Sequence, residues 1–190
     1  AMRDDGLTCS GGDGFANRQD VREYLHRLAA GLCLDRQAGQ DVRLQIWCET
    51  GGMVPQLARV AGPYGVAVVS SGGFDSVTAK HEAGLRLAGE PTAVLHIGDH
   101  DPSGVHIFSS LAEDVGAFAA AYGAGGLEFV RLAVTPEQAR RLDLPSAPAK
   151  VTDRRKFDGN RTWQCEALAP DVLAEILRDA IAGRMDVHAY

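Results

Sequence analysis

The feature that most constrains this chain is a repeated pattern: a short β-rich run that stops at glycine, followed by residues at helical spacing. Residues 42–48 alternate and are rich in β-formers, and they end at Glu49, Thr50, Gly51 and Gly52. Residues 66–70 form a short apolar run that stops at the Gly72–Gly73 turn. Residues 93–97 run into Gly98, and residues 127–134 form a fourth run after the Gly123–Gly126 break. Helices are predicted between them at 53–61, 75–88 and 104–122. Another is predicted from Thr135 to Arg141, where Thr135, Pro136 and Glu137 make an entry signal. Strands that alternate with helices imply a parallel sheet covered on both faces. The expected fold class is therefore α/β, with a central four-stranded parallel sheet flanked by helices.

The flanks divide the chain into three parts. Residues 1–41 read as a flexible, glycine-rich entry segment followed by an amphipathic helix over 18–33, with Val21, Leu25, Leu28, Ala29 and Leu32 on one face. Residues 42–150 carry the core, with 144–150 proline-rich and extended. Residues 151–190 read as a basic loop and a last helix over 170–183, entered after Pro170. With 190 residues and 45% hydrophobic content, the chain has enough apolar material for one compact domain. Its formal net charge of −6 argues against tight non-specific coating of nucleic acid, so any such binding needs a local basic patch or a metal bridge. Cys9, Cys33, Cys48 and Cys165 form no Cys-x-x-Cys pair, which argues against a zinc knuckle. Cys48 is expected in a core strand. No secretory signal or membrane-spanning apolar run is visible, and a cytoplasmic setting with reduced thiols is the expectation.

In parallel α/β sheets, ligands bind beyond the carboxyl ends of the strands. Glu49, the Ser70–Ser71 pair, and Asp99 with Asp101 each follow a predicted strand end. Carboxylates at i and i+2 of an extended segment point the same way and can share a hard divalent cation. Glu49, at a neighbouring strand end, can face the same cation or act as general acid or base. Pro102 and Ser103 lead into a helix whose N-terminus favours anions. A bare Asp-x-Asp also has a structural reading, as a solvated turn or as a cap for the helix that follows. The glutamate at an earlier strand end and Gly98 before the pair favour the functional one.

Glu49 at the end of residues 46–49, followed some fifty residues later by Gly98, Asp99, His100, Asp101, Pro102, Ser103 and Gly104, resembles the Toprim domain. That domain is shared by topoisomerases, primases, OLD-family nucleases and recombination-associated nucleases. The Gly-Asp-x-Asp-Pro-x-Gly form is most similar to the Toprim of the topoisomerase VI A subunit, its recombination relatives, and related stand-alone bacterial and phage proteins. The resemblance covers residues 42–150 and, more loosely, 150–183. It implies a Rossmann-like fold, a general acid or base at Glu49, and magnesium (or manganese) held by Asp99 and Asp101 with Glu49. It also implies DNA or RNA as substrate. Lys150, Asp153 and Glu166 fall in a segment resembling later elements of those relatives, which implies a phosphate contact for Lys150 and an approach of Glu166 to the metal. The chain departs from the pattern in two ways. Thr50 stands where relatives often carry lysine. Tyr24, Tyr64, Tyr122 and Tyr190 lie in no evident winged-helix module, so a complete topoisomerase is not expected, and a partner chain or domain would have to supply the nucleophile or the DNA-binding surface.

Other residues have two readings each. Ser71 and Ser103 are candidate phosphate contacts, although Ser70 and Ser71 lack a Gly-x-Ser-x-Gly elbow and suit a turn. Asp75 suits a helix cap. Lys150, Arg154, Arg155, Lys156 and Arg161 form a basic run, either a solvated face or a phosphate track. Phe157 and Trp163 interleave with it and suit base stacking or core packing. His96, His100 and His106 are core or surface histidines before they are zinc ligands, since His100 alternates away from the aspartates. Function then narrows to metal-dependent cleavage of nucleic-acid phosphodiesters. The rivals are a non-catalytic nucleic-acid-binding module and a haloacid-dehalogenase-like phosphatase, whose Asp-x-Asp ordinarily follows the first strand.

Overall fold

The computed structural model describes residues 14–31, 34–72, 74, 76–149, 157 and 159–188. The chain divides into two units, residues 1–35 and 36–190. In the first, helix α1 spans Arg18–Gly31, and Asn17 Oδ1 accepts from the main-chain N–H groups of Gln19 and Asp20 at its entry.

The second unit carries the sheet. Its elements are β1 (Arg43–Cys48), α2 (Val54–Ala61), β2 (Ala67–Ser70), α3 (Val77–Leu87), β3 (Thr92–Ile97), α4 (Pro102–Ala121), β4 (Leu127–Ala133), α5 (Pro136–Arg141), β5 (Ala147–Pro148), β6 (Arg161–Thr162) and α6 (Pro170–Ala182). The first four strands make a wholly parallel sheet of order β2-β1-β3-β4. This is the expected Rossmann-like α/β architecture. No helix among the described residues is long and apolar enough to cross a membrane.

Period-2 alternation divides the core between the two faces of the sheet. Leu44, Ile46 and Cys48 of β1, with Leu95 and Ile97 of β3, face Leu57 and Ala61 of α2 and Leu173, Leu177 and Ile181 of α6. Trp47 and Val94 face the other way, onto Phe74 in the turn before α3, Ala83 and Leu87 of α3, and Leu111 and Val115 of α4. Every residue of β3 is buried, as befits a strand covered on both sides. Helices α2 and α4, which follow the adjacent strands β1 and β3, thus lie on opposite faces. The carboxyl ends of β1 and β3 bound the crevice where such sheets bind ligands.

Several element boundaries differ from expectation for local reasons. Helix α4 begins at Pro102 rather than near residue 104, because proline suits the first helical position and Asp101 caps it. Helix α3 is capped by Ser76, whose hydroxyl accepts from the Ala79 N–H at 3.1 Å; Asp75, the expected cap, lies outside the described residues. Thr135 and Gln138 form a capping box on α5. The extended stretch after α5 is one side of a small antiparallel pair, β5 with β6.

Candidate functional site

Glu49 is the first residue past β1 and Asp99 the second past β3. The Glu49 N–H donates to the Ile97 carbonyl at 2.9 Å, which fixes the relative height of the two strand ends. Glu49 Oε2 in turn accepts from the Asp99 N–H at 3.3 Å. Gly98 allows this approach. A Cβ there would sit 2.5 Å from Glu49 Oε2 and 2.7 Å from His96 Cε1. Gly72 is constrained likewise, since a Cβ would lie 2.8 Å from the Glu49 carbonyl oxygen. At Gly104 a Cβ would overlap the Asp99 carbonyl oxygen. The glycines beside the acidic residues are therefore packing requirements of the site.

Each carboxylate is anchored through one oxygen. Asp101 Oδ1 caps α4 by accepting from the Gly104 N–H at 2.7 Å, so the capping role considered for the Asp-x-Asp pair is present. Asp99 Oδ1 accepts from the Cys165 N–H at 2.8 Å, which ties the turn Cys165–Ala167 to the strand end. The two aspartates therefore take separate protein partners. Burial, and then repulsion from Asp99 and Asp101, raise the pKa of Glu49 above the usual carboxylate range; the Asp99 N–H and Arg131 oppose this only in part. No described hydrogen bond occupies Glu49 Oε1 or Asp101 Oδ2.

Arg131, on β4, is a residue of the candidate site that the sequence reading missed. Its guanidinium donates to the carbonyls of Gly104 and Gly98, each at 3.2 Å, and to that of Asp99. It packs 5.7 Å from the centre of the Phe108 ring. It thereby clamps both ends of the segment from Gly98 to Gly104 and places a half-buried positive charge beside three carboxylates. The available signal was a lone arginine between Val130 and Leu132 in a β-rich run.

The histidines divide as alternation suggests. His96 is 1% exposed, and neither ring nitrogen has a hydrogen-bond partner among the described residues. Burial and Arg131 push its pKa down to about 3, so it is a neutral core residue, with its ring tilted against that of Phe108. The His100 ring lies between Trp163 and Phe157, with centroids 5.7 and 5.2 Å away, and its pKa is lowered by burial and by Arg131. His100 and Trp163 also exchange main-chain hydrogen bonds of 2.8 and 3.0 Å.

The remaining candidates are spread out. Ser103 is half-buried in the first turn of α4, beside Asp101. Ser71 is 2% exposed and its hydroxyl has no hydrogen-bond partner among the described residues, so it faces the interior. Glu166 is exposed on the turn whose Cys165 N–H meets Asp99. Cys48 and Cys165 are buried thiols, pushed up to about 11 and about 12, chiefly by burial. Lys150, Asp153, Arg154, Arg155 and Lys156 lie outside the described residues. Trp163 is half-buried and packs on the core cluster.

No group of three or more His, Cys, Asp or Glu side chains gathers in a metal-binding arrangement among the described residues. The free donors are few and are hard carboxylate oxygens. Such a set suits magnesium or manganese when water and phosphate complete the shell, and it does not suit zinc. In comparisons with known proteins, the chain matches no family model, no curated protein and no solved structure.

Proposed function

We propose that this chain is a magnesium-dependent domain of Toprim type that acts on nucleic-acid phosphodiesters. One observation carries the reading: Glu49 and Asp99 meet at the crevice between β1 and β3, with Asp101 at the head of α4. Magnesium or manganese bound there would polarise the phosphodiester and favour ionisation of a water. Asp99 and Asp101 are the residues to hold it, with Glu49 beside them. Glu49 has a raised pKa, which suits it to take and return a proton at Oε1. The first turn of α4, with Ser103, favours a phosphate oxygen. Arg131 keeps the loop in place and offsets the crowded negative charge. A partner chain or domain bringing a tyrosine would turn the same site from hydrolysis to strand transfer.

The second reading is a non-catalytic nucleic-acid-binding module, favoured by the engagement of Asp101 as a helix cap. Incubation with supercoiled plasmid and with short RNA, with and without magnesium or manganese, separates the two. The control variant is Asp99→Asn, which keeps an acceptor for the Cys165 N–H. Cleavage that needs metal and vanishes in the variant supports the proposal and identifies DNA or RNA as substrate. Undiminished cleavage by the variant overturns it. Binding without cleavage favours the module. Hydrolysis of a chromogenic phosphate ester, with nucleic acid left intact, points instead to a haloacid-dehalogenase-like phosphatase.

A further inference from the structure

Beside Asp101 the surface opens into a hollow of about 650 Å³, walled by Ser103, Pro145, Pro148, Thr162, Trp163 and Gln164. This is within the ligand-pocket range of about 300–1,000 Å³. Its chemistry is mixed: an indole and two prolines give flat apolar surface, while two hydroxyls and a side-chain amide give donors and acceptors. A second hollow, of about 380 Å³, lies across Trp163 and is lined by His100, Arg140, Asn160 and Arg161. Trp163 therefore lines both. One hollow begins at Asp101, one of the three candidate carboxylates, and the other presents two arginines in a chain of net charge −6.

We propose that the two hollows form a track for single-stranded nucleic acid, with one unpaired base in the larger hollow against Trp163 and the backbone phosphates passing Arg140 and Arg161. This rests on the phosphodiester reading and names its substrate class. The larger hollow admits a base only when that base is unstacked and free of its complement. A single strand offers such a base at no cost, whereas a duplex must open first. Aromatic stacking tolerates every base, so the site is insensitive to sequence, and the Thr162 and Gln164 groups add hydrogen bonds at the base edge. The arginines bind the backbone electrostatically, which makes the interaction salt-dependent.

The test is a fluorescence titration of the whole chain. It has two tryptophans, of which Trp47 is 2% exposed and stacked on Phe74, so Trp163 reports the hollow. Calcium replaces magnesium, since it takes oxygen ligands of the same kind. The probes are oligothymidylate and oligouridylate of about ten nucleotides and a duplex of equal length. Both single strands should quench Trp163 saturably, at least about tenfold more tightly than the duplex. Ala147→Phe fills the larger hollow from an exposed position of β5; it should weaken single-strand binding about tenfold and leave the melting temperature unchanged. Arg140→Glu with Arg161→Glu should weaken binding and flatten its salt dependence. Equal affinity for duplex and single strand, or full affinity in Ala147→Phe, overturns the proposal. Metal-dependent cleavage that ignores strandedness and survives Ala147→Phe would sink the track alone. Single-strand quenching by a chain that cleaves nothing with any metal would sink the catalytic reading and leave the track in place.

Discussion

Gly98→Ala tests whether the acidic site is assembled by close packing. Gly98 does not lie in the left-handed region, so alanine brings no backbone strain and the effect is steric alone. The added methyl would stand 2.5 Å from Glu49 Oε2, 2.7 Å from His96 Cε1 and 3.3 Å from Glu49 Cβ. A comfortable contact needs about 3.5–4.0 Å, so the Glu49 carboxylate must move by about 1 Å while the His96 ring, locked in the core, strains. Overpacking of this kind costs about 1–3 kcal/mol. At about 2–4 °C per kcal/mol for a chain of this size, the melting temperature should fall by about 2–12 °C. A displacement of about 1 Å at a reacting group should slow metal-dependent cleavage about a hundredfold. The decisive assay is a double-mutant cycle by chemical denaturation. In a Glu49→Ala background the carboxylate clash is gone and the contacts to His96 Cε1 and to the Cβ at position 49 remain, so Gly98→Ala should cost about 1 kcal/mol less than in the wild type. Strict additivity, or no loss of stability in the single variant, would refute the packing argument.

Three further outcomes follow from the charges. Glu49→Gln keeps an acceptor for the Asp99 N–H and removes a charge that burial and two aspartates disfavour. It should stabilise the fold by about 0.5–2 kcal/mol at pH 7 and abolish cleavage. Because the folded-state pKa of Glu49 is raised, the wild type loses stability as pH rises above about 4.5, so the melting-temperature gap between variant and wild type should open there and close in acid. His96 is held neutral with its pKa near 3, so the unfolded chain binds the extra proton below about 6.5 and stability drains by up to about 1.4 kcal/mol per pH unit. His96→Leu should remove that acid-side slope in thermal melts. Arg131→Gln strips donors from the Gly98, Asp99 and Gly104 carbonyls; denaturant titration should show a loss of about 1–3 kcal/mol. Arg131→Lys should not restore it, because a point ammonium lacks the fork that spans three acceptors.

The parallel sheet was legible because its strands carry local punctuation: a β-rich run, a glycine stop after each of the first three or a threonine-proline entry after the fourth, then helical spacing. The hairpin of β5 and β6 was not legible. Strands of two residues show no periodicity, and Pro148 in one of them argues against a strand by local rules. Helix α4 was expected two residues late for the opposite reason. Asp101 was read both as a cation ligand and as a cap, and the cap reading, which sets the first helical residue at Pro102, was not carried into the helix boundary.

The acidic residues were findable because strand ends are local events, and the sheet brings local events together. Their supports were not findable in the same way. The Cys165 N–H that holds Asp99 comes from 66 residues away and is a main-chain group, so no side-chain pattern marks it. Arg131 is one register step across the sheet from His96, a relation that exists only once β3 and β4 pair. The bulge between His96 and Ile97 shifts that register beside the Gly98 loop. A motif therefore names the acidic groups of the candidate site, while their geometry is set by a half-buried arginine and a distant backbone amide. This is why the Arg131 variants should cost the site its shape even though every carboxylate of the motif remains.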